Sequence, residues 1–269
     1  MTVTALPDVA ARDPRLVAWR SLSRVATGAI GVAALVWAAL VFPDLWRQAS
    51  IGPAANRILV GDAFSPPALE TLAQSADAIG ARTECFPPAL RSVAIIRLRR
   101  AETALADGQR AAIDTRMADA RDTIRHSLSC APADPFLWFA AFWLENNLTG
   151  FRPENVALLR MSYRLGPNEG WIALRRNRIA LVLYDQLPAD LQQDAIHEYL
   201  RLLQSNFITD AVDIFLGQGR AIQDKLLAQL ETVSVDRREF FALLARGRGY
   251  EGEIPGVPVR GPPGSPRRS

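Results

Sequence analysis

Residues 90–128, LRSVAIIRLRRAETALADGQRAAIDTRMADARDTIRHSL, decide the fold class. Leu90, Ala94, Leu98, Ala101 and Leu105 recur at steps of three or four and line one face of a helix. Ile113, Met117, Ala120, Ile124 and Leu128 repeat the pattern. Asp107-Gly108 breaks the chain between the two runs, so the helices return on each other as an antiparallel hairpin. The same signals continue on both sides. Upstream, Ser65-Pro66-Pro67 marks a helix start, because proline is tolerated in a first turn whose N–H groups have no helical partner. Downstream, Phe136 to Leu144 reads FLWFAAFWL; a helix without a polar face must be enclosed by neighbours on several sides. Its nine residues are too few to cross a bilayer. Pro153 opens a helix that closes at Gly166-Pro167, and Trp171 to Leu183 and Leu191 to Leu203 make a further pair. Asp236 with Glu239 reads as a capping box before Phe240, Phe241, Leu243 and Leu244. No convincing run alternates as a strand would, and the expectation is an all-α domain over residues 65–246.

The chain has 269 residues, 49% of them hydrophobic and 22% charged, which excludes a disordered polyelectrolyte and leaves room for at most one or two membrane spans. One span is visible. Residues 25–42, VATGAIGVAALVWAALVF, are 18 positions without a charge, and as a helix they cover about 27 Å, enough for one crossing. Arg12, Arg15, Arg20 and Arg24 precede this run and only Arg47 and Arg57 follow it nearby, so the positive-inside bias places the N-terminus in the cytoplasm. Trp19, Trp37 and Trp46 stand where indoles favour the interface. A cleaved signal peptide and a buried soluble helix are the competing readings. Val36-Trp37-Ala38 fits a cleavage site poorly and nothing polar interrupts the run, which favours the anchor. The expected organisation is a cytoplasmic segment 1–24, a transmembrane helix 25–43, a tether 44–64 containing Gly52-Pro53 and Gly61-Asp62, the helical domain 65–246, and a Pro/Gly/Arg tail 247–269 too poor in apolar residues to order itself.

Lys+Arg total 31 against 28 Asp+Glu, too near balance to imply nucleic acid as a partner, and Lys225 is the single lysine. Arginine and alanine in such excess are what GC-rich codons produce, which points to codon bias before phosphate binding. No phosphate-cradling GxxxxGK[ST] or nucleophile-elbow GxSxG occurs, and Gly217-Gln218-Gly219 lacks the third glycine of a dinucleotide fingerprint and reads as a helix break. His126 and His197 fall on different helices, and the cysteines show no metal-ligand spacing, so no metal and no cofactor are expected. Glu145, after the apolar helix, could be a desolvated general acid, yet a lone carboxylate at a helix end is better read as bonded to an arginine. Asn147-Leu148-Thr149 fits a glycosylation sequon by a pattern short enough to arise by chance.

Cys85 and Cys130 lie 45 positions apart, just before and just after the 90–128 hairpin, and are expected to form a disulfide in an oxidising compartment; two buried thiols are the alternative. Six arginines crowd residues 152–178 against only Glu154 and Glu169. Arg160 with Arg164, and Arg175 with Arg178, share helix faces and are the candidate binding residues for an acidic peptide, an anionic glycan or lipid head groups. A solvated face paired with nearby carboxylates is the alternative.

A period runs through the middle of the chain. Ser127-Leu-Ser-Cys-Ala-Pro132 and Ser162-Tyr-Arg-Leu-Gly-Pro167 are 35 residues apart, and Trp138 and Trp171 are 33 apart. Helix pairs on this period, with tryptophan early in the first helix and proline after the second, resemble the tetratricopeptide repeat over roughly residues 90–205. The pattern departs where the family has small residues: the position at the tight helix crossing is Ala141 in one repeat but Leu174 in the other, and Asn155 stands where an alanine is expected in the second helix. The resemblance implies an α-solenoid whose concave face binds peptides or proteins. With the anchor, it implies a bacterial inner-membrane protein, N-terminus cytoplasmic and domain periplasmic, that scaffolds protein partners in a cell-envelope assembly such as polysaccharide export, secretion or wall assembly, and is not an enzyme. An envelope glycan-acting enzyme with a helical toroid and a membrane-bound regulatory partner are the alternatives.

Overall fold

The computed structural model describes residues 14–81, 85–108 and 110–258. Every regular element among them is helical, and a single bridge pairs Ile254 with Val257. Helix α1 spans Pro14–Leu59, and contacts divide the chain into two units, one ending at Ser50 and one beginning at Ile51. In the first, Arg24–Phe42 has a mean hydropathy of 2.2 over 19 residues, none of them buried, and is long and apolar enough to span a membrane. Trp37 is exposed within it; residues 1–13 and the side chains of Trp19 and Trp46 lie outside what is described.

The second unit begins earlier than its sequence suggests. Residues 44–64 read as a tether, yet Ile51, Ala55 and Ile58, at helical spacing, are buried in the domain core. Gly52-Pro53 suggests a break, and a proline inside a helix does cost about 3 kcal/mol. Burying two isoleucines contributes about 3–6 kcal/mol, so packing prevails over propensity.

Helix α2, Pro66–Gly80, starts where Ser65 accepts a hydrogen bond from the Ala68 N–H at 3.4 Å. Helices α3, Pro87–Ala106, and α4, Arg110–Cys130, form the hairpin around Gly108, whose φ of +64° is the left-handed conformation glycine supplies without strain. The hairpin stripe is buried as expected except beside the turn: Ile113 is only partly buried, and Leu105 is exposed with Ala104 buried in its place, because three residues after Ala101 fit the turn better than four. Cys85 and Cys130 are disulfide-bonded with Cα atoms 5.6 Å apart, tying the start of α3 to the end of α4.

Helices α5, Pro135–Thr149, and α6, Val156–Leu165, form the next pair, then α7, Gly170–Val182, and α8, Ala189–Gln204. Helices α9, Ile208–Leu216, α10, Gln223–Gln229, and α11, Val235–Gly247, complete the unit. From α2 to α9 the helices pack mainly on their chain neighbours, α5 also touches α3 and α7, and α11 packs back on α9 and α8, so helix pairs stack largely in sequence order. Pro135 and Gly170, which open α5 and α7, stand 35 residues apart. Close approach explains both glycines at these joints: a Cβ on Gly166 would lie 2.7 Å from Pro135, and one on Gly170 would lie 2.6 Å from the Phe207 ring. The apolar FLWFAAFWL segment belongs to a helix of 15 residues; Phe136, Leu137, Phe139, Ala140, Phe142 and Leu144 are buried, whereas Trp138 and Trp143 are only partly so.

A polar cluster sits inside the second half. Arg176 on α7 and Glu198 on α8 are both 0% exposed and meet at 2.5 Å. Arg176 also donates to Ser162 Oγ at 2.8 Å and to the Gly166 carbonyl at 2.9 Å, and its guanidinium lies 4.0 Å over the Tyr163 ring. Tyr163 donates to Glu198 at 3.2 Å. Burial pushes the Glu198 carboxyl up from its ordinary range, opposed by the Arg176 charge, and burial drives the Tyr163 hydroxyl well above its usual value.

Two C-terminal expectations need correction. Asp236 and Glu239 form no capping box: α11 starts after Ser234, and Asp236 stands in the first turn, where a carboxylate favours the helix dipole without capping it. The tail expected from 247 does not leave the core at that point. Tyr250 packs edge-on against Phe215 at 5.1 Å, and Ile254 is 3% exposed, so scattered apolar residues between glycines are enough to hold residues 248–258 on the domain. The rest of that segment, 259–269, lies outside the described residues.

Phe142 has no exposed surface, so Phe142→Ala leaves a cavity and lowers stability by about 3–5 kcal/mol in denaturant titration. Replacing Cys85 and Cys130 by serine together removes about 2–4 kcal/mol. Peptide mapping of non-reduced protein recovers the joined peptides; two freely alkylated thiols would contradict the bond.

Candidate functional site

Three helices build a concave surface on the domain. Helix α4 contributes Arg121, Ile124, Arg125, Leu128 and Ser129, positions that share one face at helical spacing. Helix α5 contributes Trp138, Ala141, Leu144 and Glu145, and the turn into α6 adds Glu154, Asn155 and Leu158. Because α5 packs against both α4 and α6, its outward face forms the floor between two walls. The hollow measures about 570 Å³, with an apolar floor and a polar rim.

The rim is organised by ion pairs and hydrogen bonds. Glu145, half-hidden at 17% exposure, receives Arg121 at 3.2 Å and Arg125 at 3.1 Å. It is an ion-pair centre bridging α4 and α5, as the reading of a helix-end carboxylate bonded to arginine anticipates. Trp138 donates through Nε1 to the Pro132 carbonyl at 2.7 Å, which fixes the indole as one end wall. Asn155 donates to Asn146 at 3.3 Å, and Asn146 to the Phe142 carbonyl at 2.7 Å, tying the α6 wall to the α5 floor. Such a surface suits the docking of apolar side chains from a partner, with charged groups at the edge for orientation.

The four arginines singled out by sequence do not converge on a common partner. Arg160 on α6 pairs with Asp190 on α8 at 2.9 Å; their hydrogen bond raises the arginine and lowers the carboxylate. Arg175 turns to the end of α1 and donates to the Ile58 and Leu59 carbonyls at 3.2 and 3.0 Å. Arg178 faces α9 and Gln218, 3.9 Å from Asp210. Arg164 is exposed and has no bonded partner among the described residues. Helical spacing places two side chains on one face, but long guanidinium arms then reach whichever acceptor lies nearest. The sequence reading missed Arg176 as the buried member of the cluster. Its signal was available: Ile172, Ala173, Asn177, Ala180 and Leu181 surround it on the buried face of α7.

The remaining candidates sit apart. His126 on α4 is half-buried with Nε2 unbonded, and His197 on α8 is exposed. Among the described residues, no group of three or more His, Cys, Asp or Glu side chains is placed to hold a metal ion. Asn147 of the sequon lies within α5, its amide donating to the Trp143 carbonyl at 2.8 Å.

Compared with protein-family profiles, curated proteins and solved structures, the chain shows no match. The all-helical architecture stands on its own packing, and the tetratricopeptide resemblance rests on spacing.

Arg160 and Arg178 are surface groups in exposed pairs, so Arg160→Ala and Arg178→Ala each change stability by no more than about 0.5–1 kcal/mol. The Arg160–Asp190 contribution is present at neutral pH and fades as pH falls through the lowered Asp190 pKa. Arg175→Ala costs more, about 1.5–3 kcal/mol, because two carbonyls at the end of α1 lose a charged donor. Equal effects at Arg175 and Arg178, measured by denaturant titration, would contradict this division.

Proposed function

We propose that this chain is a membrane-anchored adaptor, its tetratricopeptide-like domain standing on the extracytoplasmic side and holding protein partners of a cell-envelope assembly. The observation that carries this reading is the pairing of one N-terminal span with a disulfide in the folded unit that follows it. A bond between Cys85 and Cys130 persists in an oxidising compartment, and the arginines before the span favour a cytoplasmic N-terminus. Both arguments lead to the same orientation. For a bacterial chain that orientation means an inner-membrane anchor and a periplasmic domain.

The concave surface between α4, α5 and α6 is the docking site in this reading, with the Trp138 wall and the Glu145 ion pairs setting orientation. Of the sequence-derived arginines, Arg164 retains a free guanidinium for an acidic partner group. Polysaccharide export, secretion and wall assembly are the processes in which such an adaptor would serve, since each gathers several membrane proteins around one route across the envelope.

An alkaline phosphatase fused after residue 60 is expected to be active; activity only of a cytoplasmic reporter at that point would reverse the orientation. Ala141→Trp fills the groove floor and is expected to abolish recovery of stoichiometric partners from cross-linked membranes while protein level stays normal. Unchanged recovery would remove the groove from the proposal.

A further inference from the structure

Cys85 and Cys130 are the two cysteines of the chain, and the bond between them stands at the surface, with Cys85 exposed and Cys130 half-buried. The unit that begins at Ile51 encloses one continuous apolar core. Units of this size form without a cross-link, whereas scaffolds below about 70–80 residues usually need a staple. The distinctive effect of this bond is therefore local.

Cys130 is the last residue of α4, and the groove lies on both sides of it. Leu128 and Ser129 before it and Pro132 after it line the hollow, and Pro132 supplies the carbonyl that fixes the Trp138 end wall. Two ties hold this turn to the start of α3. One is the disulfide; the other is the partly exposed ion pair of Arg91 with Asp134 at 2.6 Å. Pro132 lies between Cys130 and Asp134, so the carbonyl that holds Trp138 is pinned from both ends. With the disulfide open, α4 keeps its buried Ile124 and Leu128 but loses the tie at Cys130, and residues 130–133 are held to α3 from one side only.

An exposed cystine is open to thiol–disulfide exchange. One thiolate of a dithiol attacks the exposed Cys85 sulfur, the bond to Cys130 breaks, and Cys130 leaves as a thiolate that takes a proton from solvent. The second thiolate of the reagent then attacks the reagent's own sulfur in the mixed disulfide and expels Cys85, which is protonated in turn. Two electrons pass to the protein, and the dithiol departs as a cyclic disulfide. An oxidising disulfide reverses both steps.

We propose that the Cys85–Cys130 bond is a redox-sensitive latch on the α4–α6 groove. Closed, it fixes the Trp138 wall for docking; opened by a dithiol, it frees the turn between α4 and α5 and weakens docking. The latch rests on the reading of this groove as the docking site. In an oxidising compartment it is closed, and a dithiol donor acting there is the signal that opens it.

The test is amide hydrogen exchange on the full chain in nanodiscs, oxidised and after dithiothreitol, beside a chain carrying Cys85→Ser and Cys130→Ser. On reduction, amides of residues 127–138 are expected to exchange at least about tenfold faster, with far smaller changes in α7 and α8 and unchanged far-ultraviolet circular dichroism. Oxidised glutathione is expected to restore the slow rates. The serine pair is expected to exchange fast over 127–138 with or without dithiothreitol. An equal rise throughout the helical unit would make the bond a contributor to global stability alone, and no rise at 127–138 would show the turn held without it; either result overturns the proposal. Recovery of partners from cross-linked membranes separates the latch from the docking site. Dithiothreitol is expected to remove most of the stoichiometric partners of the unaltered chain and to cause no further loss from the serine pair. A further loss of similar size from the serine pair would place the effect on a partner and overturn the latch. Recovery that survives dithiothreitol but not Ala141→Trp would overturn the latch and keep the docking site. Recovery that survives Ala141→Trp would overturn the docking site and the latch with it.

Discussion

Arg176 and Glu198 share a contact of 2.5 Å with no solvent around either side chain, and the second half of the domain is arranged to keep it that way. Taking two charges out of water costs several kcal/mol per ion, so the pair is tolerable only where geometry and extra hydrogen bonds compensate. Those bonds come from Ser162, Gly166 and Tyr163, which brings the end of α6 into the same cluster as α7 and α8. The cluster thereby sets the spacing of three helices. Its neighbour on α7, Arg175, points to the opposite task and fastens the last carbonyls of α1.

From that fixed stack the exposed surfaces acquire their form. Helix α4 is tied to α3 by the disulfide and to α5 by the ion pairs on Glu145, and the Asn155–Asn146 hydrogen bond ties the turn into α6 to α5. The groove above α5 is consequently rigid, and a rigid groove spends less of its binding energy on ordering itself when a partner arrives. At the far end, α11 is held by Phe215, which contacts both Phe241 and Tyr250, so its outward face keeps a defined shape.

Much of this was legible in sequence where one rule dominated. The hairpin over residues 90–128, the turn at Gly108, the cysteine pairing and an N-terminal helix long and apolar enough to span a membrane followed from periodicity, glycine chemistry, spacing and hydropathy. Failures came where two effects competed. At Ile51, Ala55 and Ile58 burial overrode the local effect of Pro53, and at Tyr250 and Ile254 isolated apolar residues found a core despite five surrounding glycines and prolines. Arginine was the least readable residue. Arg160, Arg175, Arg176 and Arg178 sit within one short stretch, yet one is buried, one caps a helix and two pair at the surface, because the acceptors come from helices distant in sequence. The groove escaped notice for the same reason, since its walls come from α4 and α6, on either side of the α5 floor.

The most direct test of this account is a double-mutant cycle on Arg176→Met and Glu198→Leu, read as unfolding free energies. Each single replacement strands a buried charge and is expected to lose about 3–5 kcal/mol, while the double replacement loses far less than the sum, with coupling of at least about 2 kcal/mol. Single losses that add to within about 0.5 kcal/mol would show that the two side chains do not act as one pair, and would contradict the claim that this contact organises α6, α7 and α8.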